Sequence, residues 1–187
     1  REIDYLRISI TDRCNLRCVY CMPEKGIVQI PHEEILTYDE IARICRCMVG
    51  LGIRKIKLTG GEPLIRRKCA TLVQMLKELP GIEKVTLTTN GILLSEQMAD
   101  LAEAGIDDIN INLSPVQCCY EELAQDLIRI AGEYGIPMSR MHLEITESGL
   151  MDKEEIRETL ETLRSSGAKI ALDDFGTGYS NISSIVS

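Results

Sequence analysis

Three cysteines stand in Cys14-Asn-Leu-Arg-Cys18-Val-Tyr-Cys21, a short segment that follows an apolar-alternating run from Leu6 to Ile10. Thiolates are the preferred protein ligands of iron–sulfur clusters. Three thiolates on a four-iron (4Fe-4S) cluster leave one iron without a protein ligand, and an open iron can bind a small molecule. The competing readings are a zinc site or three unrelated buried thiols. A structural zinc takes four ligands, commonly in paired Cys-x2-4-Cys units. No fourth ligand is obvious, because His32 is the only nearby histidine and sits in a separate segment.

The chain has 187 residues, 44% hydrophobic and 27% charged, with no Trp and one Phe. That is enough for one domain with an aliphatic core. The formal net charge of −8 argues against a nucleic-acid partner held by bulk electrostatics. No apolar run is long enough to span a bilayer, and the start does not read as a signal peptide, so a cytoplasmic protein with no membrane partner is expected. Eight cysteines in such a chain favour metal or redox chemistry over a disulfide framework. Cys45, Cys47, Cys69, Cys118 and Cys119 read as small apolar residues rather than ligands.

Six runs share one layout: Leu6–Thr11, Lys55–Thr59, Lys84–Thr89, Asp108–Leu113, Met141–Thr146 and Lys169–Asp173. Each alternates polar and apolar residues, as a strand does. Helical stretches fall between them near 39–50, 66–79, 95–104, 121–134 and 153–166, each followed by a glycine (Gly52, Gly81, Gly105, Gly135, Gly167). Strand–helix alternation predicts a parallel sheet with helical crossovers. The fold class expected is α/β, a partial (β/α)6 TIM-like barrel with parallel strands and a polar lumen, formed by residues 1–187 as a single unit. An open flat sheet with one solvated face is the less favoured alternative. Every run ends in hydrogen-bonding or reactive residues, and barrel sites form at the C-terminal ends of strands. The six ends are therefore expected to converge. Two exposed sheet edges would also invite pairing into a homo-oligomer.

Residues 1–111 resemble the radical S-adenosylmethionine (SAM) enzymes, and within them the molybdopterin-biosynthesis GTP 3′,8-cyclases. The stretches that carry this are Leu6 to Cys14, the cysteine loop with Tyr20 through Glu24, Leu58-Thr59-Gly60-Gly61-Glu62-Pro63-Leu64, and Thr88-Thr89-Asn90-Gly91. The resemblance implies a 4Fe-4S cluster on Cys14, Cys18 and Cys21, SAM on its open iron, and a reductant for the cluster. It places Tyr20, Gly60, Gly61, Glu62, Pro63 and Asn90 at SAM. The two glycines would let backbone approach the methionine amino group, with the Glu62 charge against it. Arg7, Lys57 and Thr88 would face a purine nucleotide, GTP. A plain tight turn at Gly60-Gly61 and a solvated Lys57 are the structural alternatives.

From about residue 109 the resemblance changes. Asn112-Leu113-Ser114, Leu143-Glu144-Ile145-Thr146-Glu147 and Ala171-Leu172-Asp173-Asp174-Phe175-Gly176 look like an EAL-type cyclic di-GMP phosphodiesterase, without that family's Glu-Ala-Leu segment. Residues 112–187 would then carry a Mg2+ or Mn2+ site on Asn112, Glu144, Asp173 and Asp174, with Glu147 holding the loop, or these acids are leftover strand-end residues. The expected function is radical chemistry on a purine nucleotide. The alternatives are a catalytically incomplete module that binds cyclic di-GMP or a divalent metal, and a chimera of barrel fragments without activity. The switch inside one strand fits an engineered or recombined chain, or a natural fusion.

Overall fold

The computed structural model describes residues 3–18, 21, 29–113, 117, 120, 122–146 and 154–173. Six strands appear: β1 (Tyr5–Ser9), β2 (Lys55–Thr59), β3 (Lys84–Thr89), β4 (Asp108–Leu113), β5 (Met141–Thr146) and β6 (Lys169–Asp173). Five helices alternate with them: α1 (Tyr38–Gly50), α2 (Cys69–Lys77), α3 (Leu94–Glu103), α4 (Leu123–Glu133) and α5 (Glu154–Ser165). Hydrogen-bonded neighbours follow the order β1-β2-β3-β4-β5-β6. The chain divides into two compact units, Arg1–Ile109 and Asn110–Ser187. The division falls inside β4.

In the first unit β1, β2 and β3 pair in parallel, with Leu6 opposite Ile56 and Lys57 opposite Thr86. Ile56, Leu58, Val85 and Leu87 are almost wholly buried, as are Leu72 and Leu76 of α2 and Met98 and Leu101 of α3. Each such side chain contributes roughly 1.5–3 kcal/mol on burial, so this apolar layer fixes where the strand ends lie. α1 starts with a capping box. Glu40 N–H donates to Thr37 Oγ1 at 3.3 Å, and Thr37 N–H donates to the Glu40 carboxylate at 2.7 Å, which holds that carboxyl below its usual range.

Of the boundaries that differ from expectation, two have a visible cause. β1 stops at Ser9 rather than Thr11, because Thr11 O accepts from Gly61 N–H at 2.8 Å in a turn instead of a ladder. α2 starts at Cys69 rather than near 66. A 3-10 turn over Pro63–Ile65 comes first, and Lys68 takes a left-handed φ of 58°.

In the second unit β5 and β6 pair in parallel with Glu144 opposite Ala171. Met141, Leu143 and Ile145 are buried, α4 packs against α5, and Leu127 and Ile130 of α4 and Ile156 and Leu163 of α5 are buried as well. No helix among the described residues is long and apolar enough to cross a membrane.

Candidate functional site

Three strand-end segments of the first unit meet at the cysteine loop. The turn after β2 binds the backbone just ahead of Cys14: Gly61 N–H donates to Thr11 O at 2.8 Å and Glu62 N–H to Arg13 O at 2.7 Å. Gly60 and Gly61 are demanded by that contact. A Cβ on Gly60 would lie 2.3 Å from Thr11 O, and Gly60 also has φ of +139°. A Cβ on Gly61 would lie 2.2 Å from Arg13 O. The glycines clear space for the protein's own backbone, a role that the motif alone did not announce.

Glu62 is fully buried. One carboxylate oxygen accepts from Leu64 N–H at 3.0 Å and from Thr89 Oγ1–H at 2.8 Å, and the other accepts from Asn90 N–H at 2.7 Å. Expected as the counter-charge for a bound ammonium, it also ties the end of β2 to the end of β3. Pro63, buried, opens the 3-10 turn that Glu62 caps. Asn90 completes the bridge. Its Oδ1 accepts from Ile92 N–H at 3.1 Å, and its Nδ2 donates to Asn15 Oδ1 at 2.8 Å and approaches Cys14 Sγ at 3.9 Å. Cys14 Sγ also accepts from Leu16 N–H at 3.4 Å.

Sequence reasoning missed Arg66, which has no motif around it. Its guanidinium donates to Ile10 O at 2.8 Å and Leu36 O at 2.6 Å and lies 4.3 Å above the Tyr38 ring. It clamps the chain leaving β1 from the side opposite in sequence to the cysteines. Burial pushes the Tyr38 hydroxyl up to about 12.

The free thiols fall into two classes. Cys14 and Cys18 are half-buried and Cys21 is exposed, with Cys21 N–H donating to Cys18 O at 3.0 Å. Cys45 and Cys69 are fully buried. Burial pushes the Cys45 thiol up to about 11. Burial, then the nearby Glu62 charge, pushes Cys69 up to about 12, against the Arg66 guanidinium. A thiol so disfavoured as thiolate makes a poor metal ligand. Cys47, expected as a small apolar residue, is instead exposed on α1, and Cys118 and Cys119 lie outside the described residues; Cys14, Cys18 and Cys21, which share one loop, are the candidate donors. Among the described residues no three of His, Cys, Asp and Glu are grouped as they would be around a single ion. A one-ion zinc site therefore lacks its compact ligand set there. Thiolates are the protein ligands of iron–sulfur clusters, so the donor chemistry of these three fits a cluster.

Arg7 and Lys57 are register partners on β1 and β2, and Arg7 donates to Thr59 Oγ1 at 3.3 Å. Thr88 is buried on β3, and its Oγ1 finds no hydrogen-bond partner among the described residues. Such an orphaned hydroxyl is unusual in a folded protein and suits a ligand contact. Tyr20 lies outside the described residues.

The second unit is sparser. Asn110 Nδ2 donates to Glu144 Oε1 at 2.5 Å, and Asn112 Oδ1 is buried without a partner among the described residues. Asp174 and Glu147 lie outside the described residues, as does the side chain of Asp173. The segments that directly follow β4, β5 and β6 lie there too, so the expected convergence of all six strand ends falls outside the described residues.

Comparison with known proteins follows the same lines. The family described as the Radical SAM superfamily matches residues 8–172, and so runs through the segment expected to be EAL-like. A GTP 3′,8-cyclase of Pelotomaculum thermopropionicum is 51% identical over 117 residues, covering 63% of this chain and 36% of the relative. One of Thermodesulfovibrio yellowstonii is 53% identical over 114 residues, covering 60% and 35%. The chain thus spans about a third of the length of the curated relatives it matches. Among solved structures, Streptococcus suis SuiB bound to S-adenosylmethionine superposes with a TM-score of 0.65 at 19% identity, covering 97% of this chain and 42% of that one. That likeness shows the fold, a parallel α/β arrangement of the partial TIM-barrel kind. With a family match that covers most of its length, this chain belongs to the radical SAM superfamily, whose members use a 4Fe-4S cluster and S-adenosylmethionine.

Proposed function

We propose that the first unit holds a 4Fe-4S cluster through Cys14, Cys18 and Cys21, binds SAM beside it, and serves radical chemistry on a purine nucleotide of the GTP 3′,8-cyclase kind, in molybdenum cofactor biosynthesis. The observation that carries this reading is the mutual fastening of the three strand ends: Gly61 and Glu62 hold the backbone before Cys14, and Glu62 holds Asn90 against Cys14 and Asn15. The identity to GTP 3′,8-cyclases supports the choice of substrate class. When bound, the cluster and SAM together supply a 5′-deoxyadenosyl radical once an external reductant has delivered an electron.

The chain's own residues bind and orient. Arg7 and Lys57, side by side on adjacent strands, bring positive charge for a triphosphate. Thr88 Oγ1, buried and unpartnered among the described residues, offers a hydrogen bond to the purine or its sugar. Gly60 and Gly61 keep the turn tight enough that the cysteine loop sits directly on the end of β2. Exposed and half-exposed free thiols suit a reducing, cytoplasmic setting.

Anaerobic reconstitution with iron and sulfide tests the reading. Electron paramagnetic resonance (EPR) of the reduced protein should show a cluster signal that changes on adding SAM. The signal should vanish in C14A, C18A and C21A. A fully folded protein that takes up no cluster, or a cluster indifferent to SAM, would overturn it.

A second reading rests on Asn112 Oδ1, buried without a partner among the described residues of the second unit. It gives that unit, if it is an EAL-like segment joined as a chimera, a weak site for a divalent metal or cyclic di-GMP with Asn112, Glu144, Asp173 and Asp174. Calorimetry with Mg2+ and with cyclic di-GMP should then give heat that N112A abolishes; no heat from either removes the reading.

A further inference from the structure

Asn90 is placed more tightly than a loop residue that merely touches a ligand would need. Its backbone N–H is held by the buried Glu62 carboxylate at 2.7 Å. The preceding residue, Thr89, donates to the same carboxylate at 2.8 Å and accepts from Gly91 N–H at 3.1 Å. The side-chain amide has no rotational choice. Oδ1 is taken by Ile92 N–H at 3.1 Å, so the NH2 group must face the cysteine loop. There one N–H goes to Asn15 Oδ1 at 2.8 Å, and Nδ2 also stands 3.9 Å from Cys14 Sγ, within reach of a sulfur acceptor. With Leu16 N–H at 3.4 Å, Cys14 Sγ faces two N–H dipoles of different origin, one from its own loop and one from the end of β3.

We infer that Asn90 is a positioning residue that sets the reduction potential of the cluster through its N–H···S contact with Cys14. The inference rests on the cluster reading above. Hydrogen bonds to ligand sulfurs are among the determinants of cluster potential. An N–H dipole aimed at a thiolate stabilises the more electron-rich, reduced state, so its loss makes reduction harder. Groups around first-layer ligands also tune metal sites generally. Glu62 enters only as the anchor of the Asn90 backbone; its carboxylate is engaged by Leu64, Thr89 and Asn90 themselves.

The test is potentiometric titration of the reconstituted protein, followed by EPR and visible absorbance, for the wild type, N90D and N90A. Asn90→Asp keeps the oxygen that accepts from Ile92 N–H and replaces the donor facing Cys14 with an acceptor. Iron content should match the wild type in both variants. The potential should fall in both, and in N90D by at least a tenfold change in the reduction equilibrium, about 59 mV for a one-electron couple. A change in the reduced EPR line shape should accompany it. Normal iron content with an unchanged potential in both variants overturns the inference while leaving the cluster reading intact. Loss of the cluster in both variants, with normal loading of the wild type, overturns it in favour of a purely structural Asn90. A wild type that takes up no cluster overturns the parent reading and this one with it.

Discussion

The strand-end residues of the two units make different use of the same chemistry. In the first unit, the polar residues beyond β1, β2 and β3 hold one another: Gly61 and Glu62 fasten the Thr11–Arg13 backbone, and Glu62 gathers Leu64, Thr89 and Asn90. In the second, the polar face of β4 and β5 shows an Asn110–Glu144 hydrogen bond and a buried Asn112 oxygen without a partner among the described residues. Both sets look equally reactive on paper. One is a scaffold around a set of thiols, and the other is a polar strand face with no such hub among the described residues. Reactive residue types mark a site only when something holds them in place.

The contrast breaks most sharply at Gly61. A methyl group there meets Arg13 O at 2.2 Å and Arg13 C at 2.6 Å, both backbone atoms that cannot swing aside. G61A should cost about 3 kcal/mol or more, seen as a lower urea midpoint, and should impair cluster uptake even in the fraction that folds. Glu62→Gln comes next. An amide NH2 in place of one carboxylate oxygen turns a donor toward either Asn90 N–H or the Leu64 and Thr89 donors, deep in the protein. The expected loss is about 2 kcal/mol. The matching change in the second unit, E144Q, keeps an oxygen for Asn110 and should stay within about 1 kcal/mol. Equal losses from E62Q and E144Q in chemical denaturation would erase the distinction between hub and face.

Alkaline pH separates buried from exposed thiols. Burial raises Cys69 in the folded chain to about 12 from an ordinary value near 9. Folding therefore favours the neutral thiol. The resulting stability is whole below about pH 9 and drains away as pH climbs toward about 12, at no more than about 1.4 kcal/mol per pH unit. Cys45 adds a smaller part of the same sign up to about pH 11. C69A should lose stability less steeply over that window. A C69A profile parallel to the wild type would mean that Cys69 is ionised as easily as a surface thiol.

Much of the first unit was legible because its signals are local. Period-two alternation marks β2 to β6 to the residue, and the turns at Gly60 and Gly91 stop the pattern sharply after β2 and β3. β1 ran two residues too far. Ile10 and Thr11 keep the alternation but hand their hydrogen bonds to Thr59 and to the Gly61 turn. The cysteine spacing separated three ligand candidates from two buried thiols without coordinates. What stayed hidden was long-range. Nothing in the sequence around Arg66 says that it will reach Ile10 and Leu36. The Glu62 motif suggested a charge facing a ligand, whereas the folded chain also uses that charge to join two strand ends. Tertiary hydrogen bonds of this kind depend on which strands become neighbours, and that information is spread over the whole chain.

The smallest effect comes from the second unit's own glycine. Gly132 lies inside α4, and a Cβ built there meets nothing within 4 Å. It has an ordinary helical backbone, so an alanine adds no strain and removes freedom from the unfolded chain. G132A should therefore stabilise the protein by about 0.5–1 kcal/mol, the opposite sign to G61A. Thermal melts of the two variants side by side give the sharpest form of the comparison. A glycine set against backbone at the end of β2 is required, and one on an open helix face is expendable. If G132A also melted early, α4 would have to be counted among the parts of the chain that tolerate no change.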